Sequence, residues 1–218
     1  MRGKRFKFLE NTLSENVIQP GKANYESLKS KWGKEVFNND NPITLELGCG
    51  RGEYTIGLAR QFPDRNFIGI DIKGDRIWVG SKIAQEEQLT NVAFLRTQMQ
   101  FLLRFFDQNE IDEMWLTFPD PRPKKRDEKR RLCHPDYLMR YKFVLKKDGY
   151  FKFKTDNTDL FEYTLHVLKN NIKVSNLIYV YDLYQSKLNG EHAGIKTKYE
   201  KIFFEKGEKI KYMKFQFQ

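Results

Sequence analysis

Two carboxylates in this sequence lie at the ends of short apolar runs, where side chains can meet a ligand. Glu46 lies within the run Ile43–Leu47, which a glycine-rich turn follows. Asp71 ends the next apolar run, 25 residues after Glu46. A carboxylate at the second position can accept hydrogen bonds from both hydroxyls of a ribose, and one at the first can attract a cation. The pair predicts a site for a nucleoside that carries positive charge.

The turn after Glu46 has the spacing G-x-G-x-G and contains Gly48 and Gly50. Glycines allow a tight bend and let a ligand approach the backbone closely. The alternative is a dinucleotide fold, in which a phosphate rests on a helix N-terminus, but its fingerprint is G-x-G-x-x-G. Glu46 would repel a pyrophosphate and attract a ligand with an ammonium and a sulfonium. S-adenosylmethionine has both, and the segment resembles the first motif of class I methyltransferases.

Gln98 follows a third apolar run, Val92–Arg96. Its amide could donate to and accept from an adenine edge. It could equally be an ordinary surface glutamine, and the sequence favours neither interpretation.

A proline-rich loop follows the fourth apolar run, Ile111–Phe118. Three prolines within Pro119–Pro123 predict a rigid, non-helical segment at the expected position of the reaction. Asp120 lies in this loop, either as a turn-former between prolines or as a catalytic carboxylate. Asp156 follows the fifth run, Gly149–Lys154, either as the N-cap of the next helix or as a second carboxylate of the site.

Basic residues are concentrated directly after the proline loop. Seven of the ten residues from Arg122 to Arg131 are Lys or Arg, and the whole chain carries a net charge of +10. Such a run is usually a solvated face, but its position beside the expected site favours contact with nucleic acid. The N-terminus adds further candidates for phosphate contacts: Arg2, Lys4, Arg5 and Lys7.

The stretch FPDPRPKKRDEKRRLCHPDYL is similar to the signature segment of bacterial tRNA (guanine-N7-)-methyltransferases, whose usual form is close to DPWPKKRHxKRR. Lys154–Asn157 (KTDN) and Thr197–Glu200 (TKYE) also match motifs of that family, and the resemblance runs from about residue 43 to residue 205. Two residues depart from it. Arg122 stands where the family commonly has tryptophan, which leaves a stacking role there open, and Cys133 stands where threonine is frequent. An arginine can also stack on a base.

The resemblance implies an enzyme that uses S-adenosylmethionine to form 7-methylguanosine at position 46 of the tRNA variable loop. It assigns the cofactor to Glu46, Gly48, Gly50, Asp71, Gln98 and Asp120, with Asp120 also catalytic. It assigns substrate contacts to Lys124, Asp156, Thr197, Lys198, Tyr199 and Glu200. It assigns RNA phosphate contacts to Arg126, Lys129, Arg130 and Arg131.

The chemistry of guanine N7 agrees with this set of residues. N7 carries a lone pair and no proton, so its methylation needs no general base and depends on alignment. Positive charge develops on the purine as the methyl group arrives, and nearby carboxylates stabilise it. Asp120 and Asp156 are the candidates for that role.

Strand-like runs and helical stretches alternate five times, which predicts an α/β fold. We expect a Rossmann-like class I methyltransferase: a mostly parallel seven-stranded sheet with helices on both faces and antiparallel C-terminal strands. This domain would occupy residues 41–218, behind a basic N-terminal arm and helix in residues 1–40. The helix is predicted from Tyr25 to Phe37 after a flexible arm. The last strands are predicted at Val174–Val180, Lys201–Glu205 and Tyr212–Phe217.

Other functional classes are disfavoured by composition. The two cysteines are far apart, and no Cys/His cluster has zinc spacing, so neither a disulfide framework nor a metal site is expected. The sequence has no 18-residue apolar stretch and no secretory signal, which predicts a cytoplasmic protein without a membrane span. A monomer is expected, because no coiled-coil pattern stands out.

Two rival functions remain. The first is a class I methyltransferase that acts on another RNA nucleophile, although FPDPR differs from the Asn/Asp-Pro-Pro-aromatic segment typical of amino-group methylation. The second is a non-enzymatic RNA-binding protein on a methyltransferase fold. The intact set of acidic residues argues against the second.

Overall fold

The computed structural model describes residues 3–218, so Arg2 of the predicted RNA-binding N-terminus lies outside the described residues. Eight strands are present in this range: β1 (Val17–Ile18), β2 (Ile43–Leu47), β3 (Asn66–Asp71), β4 (Val92–Arg96), β5 (Ile111–Thr117), β6 (Leu145–Thr155), β7 (Val174–Val180) and β8 (Lys211–Phe217). Six α-helices accompany them: α1 (Lys4–Leu13), α2 (Glu53–Gln61), α3 (Gly74–Glu86), α4 (Pro135–Val144), α5 (Thr158–Asn170) and α6 (Lys198–Glu205).

The strands form one sheet in the order β1-β4-β3-β2-β5-β6-β8-β7. Pairing is parallel from β1 through β6, and β8 runs antiparallel to both β6 and β7. The predicted mostly parallel sheet with antiparallel C-terminal strands is confirmed. The two-residue strand β1 at the β4 edge was not predicted, so the sheet has eight strands where seven were expected.

The central strands are apolar because the sheet is covered on both faces. All five residues of β2 are buried, as expected for a parallel strand between two helical layers. One hydrophobic cluster contains Leu45 and Leu116 with residues of α4 and α5. The other contains Trp115 with residues of α2 and α3. The predicted helices on both faces are confirmed.

The strand order reverses between β2 and β5, since β3 and β4 lie on one side of β2 and β6 lies beyond β5. In open α/β sheets, ligands bind outside the carboxyl ends of the strands at such a switch point. The glycine turn follows β2, and the proline loop follows β5. The topology therefore brings the two segments singled out by the sequence to the same crevice.

The N-terminal segment differs from the prediction of a flexible arm, because residues 4–13 form α1 and α1 packs on α3. The buried Asn11 side chain donates to the Gly74 carbonyl at 2.7 Å. The Trp78 indole N–H donates to the Glu10 carboxylate at 2.6 Å, and the Lys7 ammonium lies 4.8 Å from the Trp78 ring. Hydrogen bonds and a cation–π contact hold this helix in place. Such contacts leave no apolar repeat in the sequence from which the helix could be predicted.

The helix predicted from Tyr25 to Phe37 is wrong over most of its length, and only a π-helical turn at Gly33–Phe37 is present. Glu26 and Ser30 have positive φ angles of 69° and 63°, which a helix does not tolerate. The Ser30 N–H donates to Glu110 at 3.1 Å and its hydroxyl to Asp107 at 2.8 Å. These tertiary hydrogen bonds replace the local helical ones.

The strand predicted at Lys201–Glu205 is also wrong, since these residues belong to α6. Thr197 and Glu200 form a complete capping box in front of them. The pattern Thr-x-x-Glu is a helix-start signal that was present in the sequence.

Candidate active site

A cavity of about 860 Å³ opens at the carboxyl ends of β2 to β6. A second cavity of about 330 Å³ adjoins it, and both are lined by Gly48, Arg76, Phe118 and Tyr199. The larger cavity is lined by these predicted site residues: Gly48, Asp71, Gln98, Asp120, Arg130, Asp156 and Tyr199. The smaller is lined by Glu46, Gly48, Gly50, Thr197, Lys198 and Tyr199. Residues far apart in the chain thus surround one continuous crevice.

Glu46 forms the floor of the smaller cavity and is only 3% exposed. One carboxylate oxygen accepts the Thr55 N–H at 2.9 Å and also the Thr55 hydroxyl. The other accepts the Thr117 hydroxyl at 2.7 Å. Burial raises the pKa of Glu46 to about 7, against the opposing effect of these hydrogen bonds and of the Lys154 charge. The carboxyl group therefore titrates near neutral pH.

The glycine turn is fixed by the second predicted carboxylate. Gly48 and Gly50 have φ angles of 74° and 58°, in the left-handed region that glycine enters without strain. The Asp71 carboxylate accepts the Gly50 N–H at 2.9 Å and the Lys73 N–H at 2.8 Å. A Cβ built on Gly50 would meet nothing within 4 Å. The backbone of the turn is thus open to a ligand.

The loop that carries Asp120 is backbone-strained. Phe118 and Arg122 both have a φ of 47°, which is uncommon for residues other than glycine and is concentrated at functional sites. Asp120 is exposed, and its carboxylate accepts the Arg122 N–H at 3.2 Å and pairs with the Arg122 guanidinium at 3.1 Å. The Arg131 guanidinium donates twice to the Arg122 carbonyl, at 3.2 and 3.3 Å. Arg122 and Arg131 thus define the loop conformation.

Asp156 faces the cavity and does not cap α5. Asn157 is the N-cap residue, and its side chain accepts the Leu160 N–H at 2.8 Å. The alternative interpretation of Asp156 as the helix cap is therefore wrong. Burial raises the pKa of Asp156, and the charge of Lys211 partly opposes this.

Thr197–Glu200 begins α6, with Lys198 and Tyr199 exposed at the cavity and Glu200 fully buried. The Thr197 hydroxyl accepts the Glu200 N–H at 3.2 Å. The Glu200 carboxylate pairs with Lys154 at 2.9 Å and accepts the Tyr184 hydroxyl at 2.6 Å. Glu200 thus lies beneath the segment that faces the cavity, and its predicted substrate contact stays a prediction.

The basic run forms a 3₁₀ helix at Lys125–Arg130, just after the proline loop. Lys124, Arg126, Lys129 and Arg130 are exposed on it or beside it. Arg131 is half-buried, and its guanidinium lies 4.3 Å from the Tyr163 ring. The run therefore presents positive charge at the rim, whereas Arg131 also supports the loop.

Three residues of the site have no role in the predicted set. Lys154, on β6, is fully buried beside Glu200. Arg76 lines both cavities from the first turn of α3. Thr117 binds Glu46 from β5. Thr117 and Lys154 are register partners on adjacent strands, and only the sheet topology, not the sequence, reveals this.

Comparison with solved structures defines the fold class. The 16S rRNA methyltransferase KamB shares 14% identity, with a TM-score of 0.63 over 87% of this chain and 93% of that chain. A 16S rRNA (adenine(1408)-N(1))-methyltransferase from Catenulisporales acidiphilia, solved with its cosubstrate SAM, shares 13% identity, with a TM-score of 0.55 over 86% and 90%. At these identities the likeness concerns the fold alone. The fold is that of the class I methyltransferases.

Comparison of sequences defines the family. The family model described as "Putative methyltransferase" matches residues 40–213. Proteins named tRNA (guanine-N(7)-)-methyltransferase share 47% identity in Cytophaga hutchinsonii, over 99% of this chain and 98% of that protein, and 36% in Streptococcus thermophilus, over the full length of both. The one from Bacteroides fragilis shares 47% identity over 86% of this chain and 73% of its own length. The chain belongs to the tRNA (guanine-N(7)-)-methyltransferase family and is a methyltransferase.

Two kinds of feature are absent from the part of the chain that the structure describes. Among residues 3–218, no group of three or more His, Cys, Asp or Glu side chains could hold a metal ion. No helix in the same range has the length and apolar character that crossing a bilayer requires.

The raised pKa of Glu46 implies a measurable pH dependence of the unfolding free energy. Its pKa is about 7 when folded and has an ordinary value of 4.5, so between these values the folded chain binds more protons at this position than the unfolded chain. Stability from this group is present at low pH and is lost as the pH rises through that window. We expect the unfolding free energy of Glu46→Gln minus that of the wild type to increase by about 3 kcal/mol as the pH rises from 4.5 to 8.

Urea unfolding of both proteins across this pH range measures the difference. Taking the difference cancels the titration of all other groups that the substitution leaves unchanged. A difference that does not vary with pH would show that Glu46 titrates normally.

Proposed function

We propose that this chain transfers the methyl group of S-adenosylmethionine to N7 of the guanine at position 46 in the tRNA variable loop. The product would be 7-methylguanosine. The observation that carries the proposal is the convergence of four acidic side chains, from the ends of β2, β3, β5 and β6, on one crevice beside an exposed basic helix. Family membership and the names of the relatives support the same reaction.

The residues of the crevice fit the methyl donor. The donor is a nucleoside without phosphate that carries an ammonium and a sulfonium. Asp71 keeps lone pairs free for ribose hydroxyls beyond the two backbone bonds that it accepts. Gly50 leaves open space for close approach, and Glu46 provides a buried carboxyl group that would attract the donor's positive charge when ionised. Gln98 would meet the adenine edge from the loop after β4.

When bound, the donor supplies an electrophilic methyl group on a sulfonium centre. The chain must align guanine N7 with that methyl group and exclude other geometries. Asp120 and Asp156 line the same cavity from two adjacent strands. Their carboxylates would accept guanine N1–H and amino protons and stabilise the positive charge that develops on the purine. Adenine does not offer this donor pattern, so the two carboxylates would also select the base.

The RNA would be held by charge at the rim and by shape at the crevice. Lys124, Arg126, Lys129 and Arg130 lie exposed where an RNA backbone would approach. A-form RNA hides its base edges in a deep groove, so a target base must be unstacked before it reaches an enzyme pocket. Tyr199, 61% exposed at the mouth of both cavities, offers a ring for such a base.

The reaction itself is tested by nucleoside mass spectrometry. The purified chain, with S-adenosylmethionine and unmodified tRNA transcripts, is expected to yield 7-methylguanosine. Replacing G46 of the transcript with adenine should abolish the product. 1-Methylguanosine or a methyladenosine would reject the N7 assignment, and product from the G46-replaced transcript would reject the position.

Asp120→Ala should reduce kcat about 100-fold or more, since an electrostatic contact to the reacting charge is lost. The tRNA dissociation constant should change less than about threefold, because phosphate contacts dominate binding. Single-turnover rates and filter binding measure the two quantities. Asp64→Ala, in the exposed turn before β3, is the control. Equal losses in rate and affinity would assign Asp120 to structure.

Arg126→Gln/Lys129→Gln should flatten the salt dependence of tRNA binding. Each lost phosphate contact removes about 0.7 to 0.9 from the slope of log K against log salt concentration. We expect a reduction of about 1.5 for the pair. Lys169→Gln/Lys173→Gln removes two exposed charges at the end of α5, away from the crevice, and should leave the slope unchanged. Identical slopes for the basic-run variant and the wild type would exclude this helix from the interface.

A further inference from the structure

A fully buried lysine lies close to two carboxylates of the site, Glu46 and Glu200. Lys154 is 0% exposed at the end of β6, and its ammonium pairs with Glu200 at 2.9 Å. The same ammonium lies 4.5 Å from the Tyr54 ring and 5.6 Å from the Phe118 ring. Burial of a charged lysine is costly and requires a partner of opposite charge. Glu200 supplies that partner.

On one side, Lys154 neighbours the residues that bind Glu46 in the smaller cavity. Thr117, its register partner on β5, donates to Glu46 at 2.7 Å. Tyr54, whose ring lies against Lys154, precedes Thr55, the other residue that binds Glu46. The positive charge of Lys154 lowers the pKa of Glu46, against burial, which raises it.

On the other side, Lys154 is connected to the start of α6. Glu200, its ion-pair partner, accepts the Thr197 N–H at 3.3 Å and returns its own N–H to the Thr197 hydroxyl. This capping box fixes the turn whose Lys198 and Tyr199 face the cavities. The Tyr184 hydroxyl donates a further hydrogen bond to the Glu200 carboxylate.

We propose that Lys154 is a positioning residue that couples two parts of the site: its charge favours the ionised form of Glu46, and its ion pair anchors Glu200, and with it the cavity-facing start of α6. The inference rests on the proposed function, because it assigns Glu46 to the methyl donor and α6 to the RNA. Lys154 itself touches neither. It acts through the two carboxylates on either side of it.

Other titratable groups also face these carboxylates, so their effects must be separated from that of Lys154. Around Glu46 and Lys154 the structure brings together Cys49, Tyr54, Glu200, His192 and Lys196. Burial lowers the pKa of His192, and the charge of Lys154 lowers it further. Burial raises the pKa values of Cys49 and Tyr54. Among these groups, Glu46 lines the smaller cavity and has a pKa of about 7.

The test measures donor affinity by calorimetry between about pH 5 and pH 9, a range that spans the titration of Glu46. In the wild type, affinity should fall as the pH drops through about 7. Lys154→Met/Glu200→Gln removes both charges without leaving one buried and unpaired, so it should fold where Lys154→Met alone risks unfolding. The midpoint in this double variant should rise, because a positive charge near Glu46 is gone.

Two further variants serve as controls. Glu46→Gln should lose this pH-dependent change in donor affinity, which distinguishes titration of Glu46 from titration of the donor. Lys152→Met/Glu113→Gln removes another ion pair, 2.9 Å long and two residues earlier on β6, and should leave the midpoint unchanged. Methyl transfer by the Lys154 double variant at about pH 9, where Glu46 is charged, should stay about tenfold or more below the wild type.

The outcomes distinguish the two levels of the proposal. If the wild type binds the donor and methylates tRNA, but the double variant keeps the wild-type midpoint, the coupling role of Lys154 is overturned and the enzyme activity stands. Full recovery of transfer at high pH would overturn the anchoring of α6. A wild type that binds no donor at any pH would overturn the proposed function itself.

Discussion

The desolvation of one carboxyl group governs this site. Glu46 lies on a central strand that is buried on both faces, so its charge has lost nearly all contact with water. An isolated carboxylate there would remain protonated. Donors from Thr55 and Thr117 and the charge of Lys154 bring its pKa back to about 7. The residues packed around β2 thus lower the free-energy cost of a buried negative charge.

Charges of both signs line the site. Acidic groups at the strand ends line the crevice together with basic side chains such as Lys73 and Arg76. Most of the basic run remains outside, on a solvated 3₁₀ helix at the rim. The rim therefore presents positive charge next to the carboxylates at the strand ends. The proline loop, which connects Asp120 to the basic run, joins the two regions covalently.

The sequence predicted what depends on local pattern and failed where tertiary contacts prevail. The strand at Val92–Arg96 has the predicted bounds, because a buried parallel strand is an apolar run. The helix predicted for residues 25–37 is largely absent, since hydrogen bonds from Ser30 to distant carboxylates override helix propensity. Lys154 could not be identified, because a buried lysine and an exposed one look the same in sequence. Its meaning appears only when β6 lies beside β5 and α6 closes over both.

Arg122 shows how a departure from the family pattern can be accommodated. The resemblance implies a tryptophan at this position in the family, and its neutral ring could not form an ion pair with Asp120. Arg122 instead pairs with Asp120 and offers its carbonyl to Arg131, so the strained loop is held by polar contacts. An exposed ion pair of this kind contributes little to stability and is easily exchanged. In this chain, the residue that replaces the aromatic therefore helps to hold the loop that joins the basic run to the crevice.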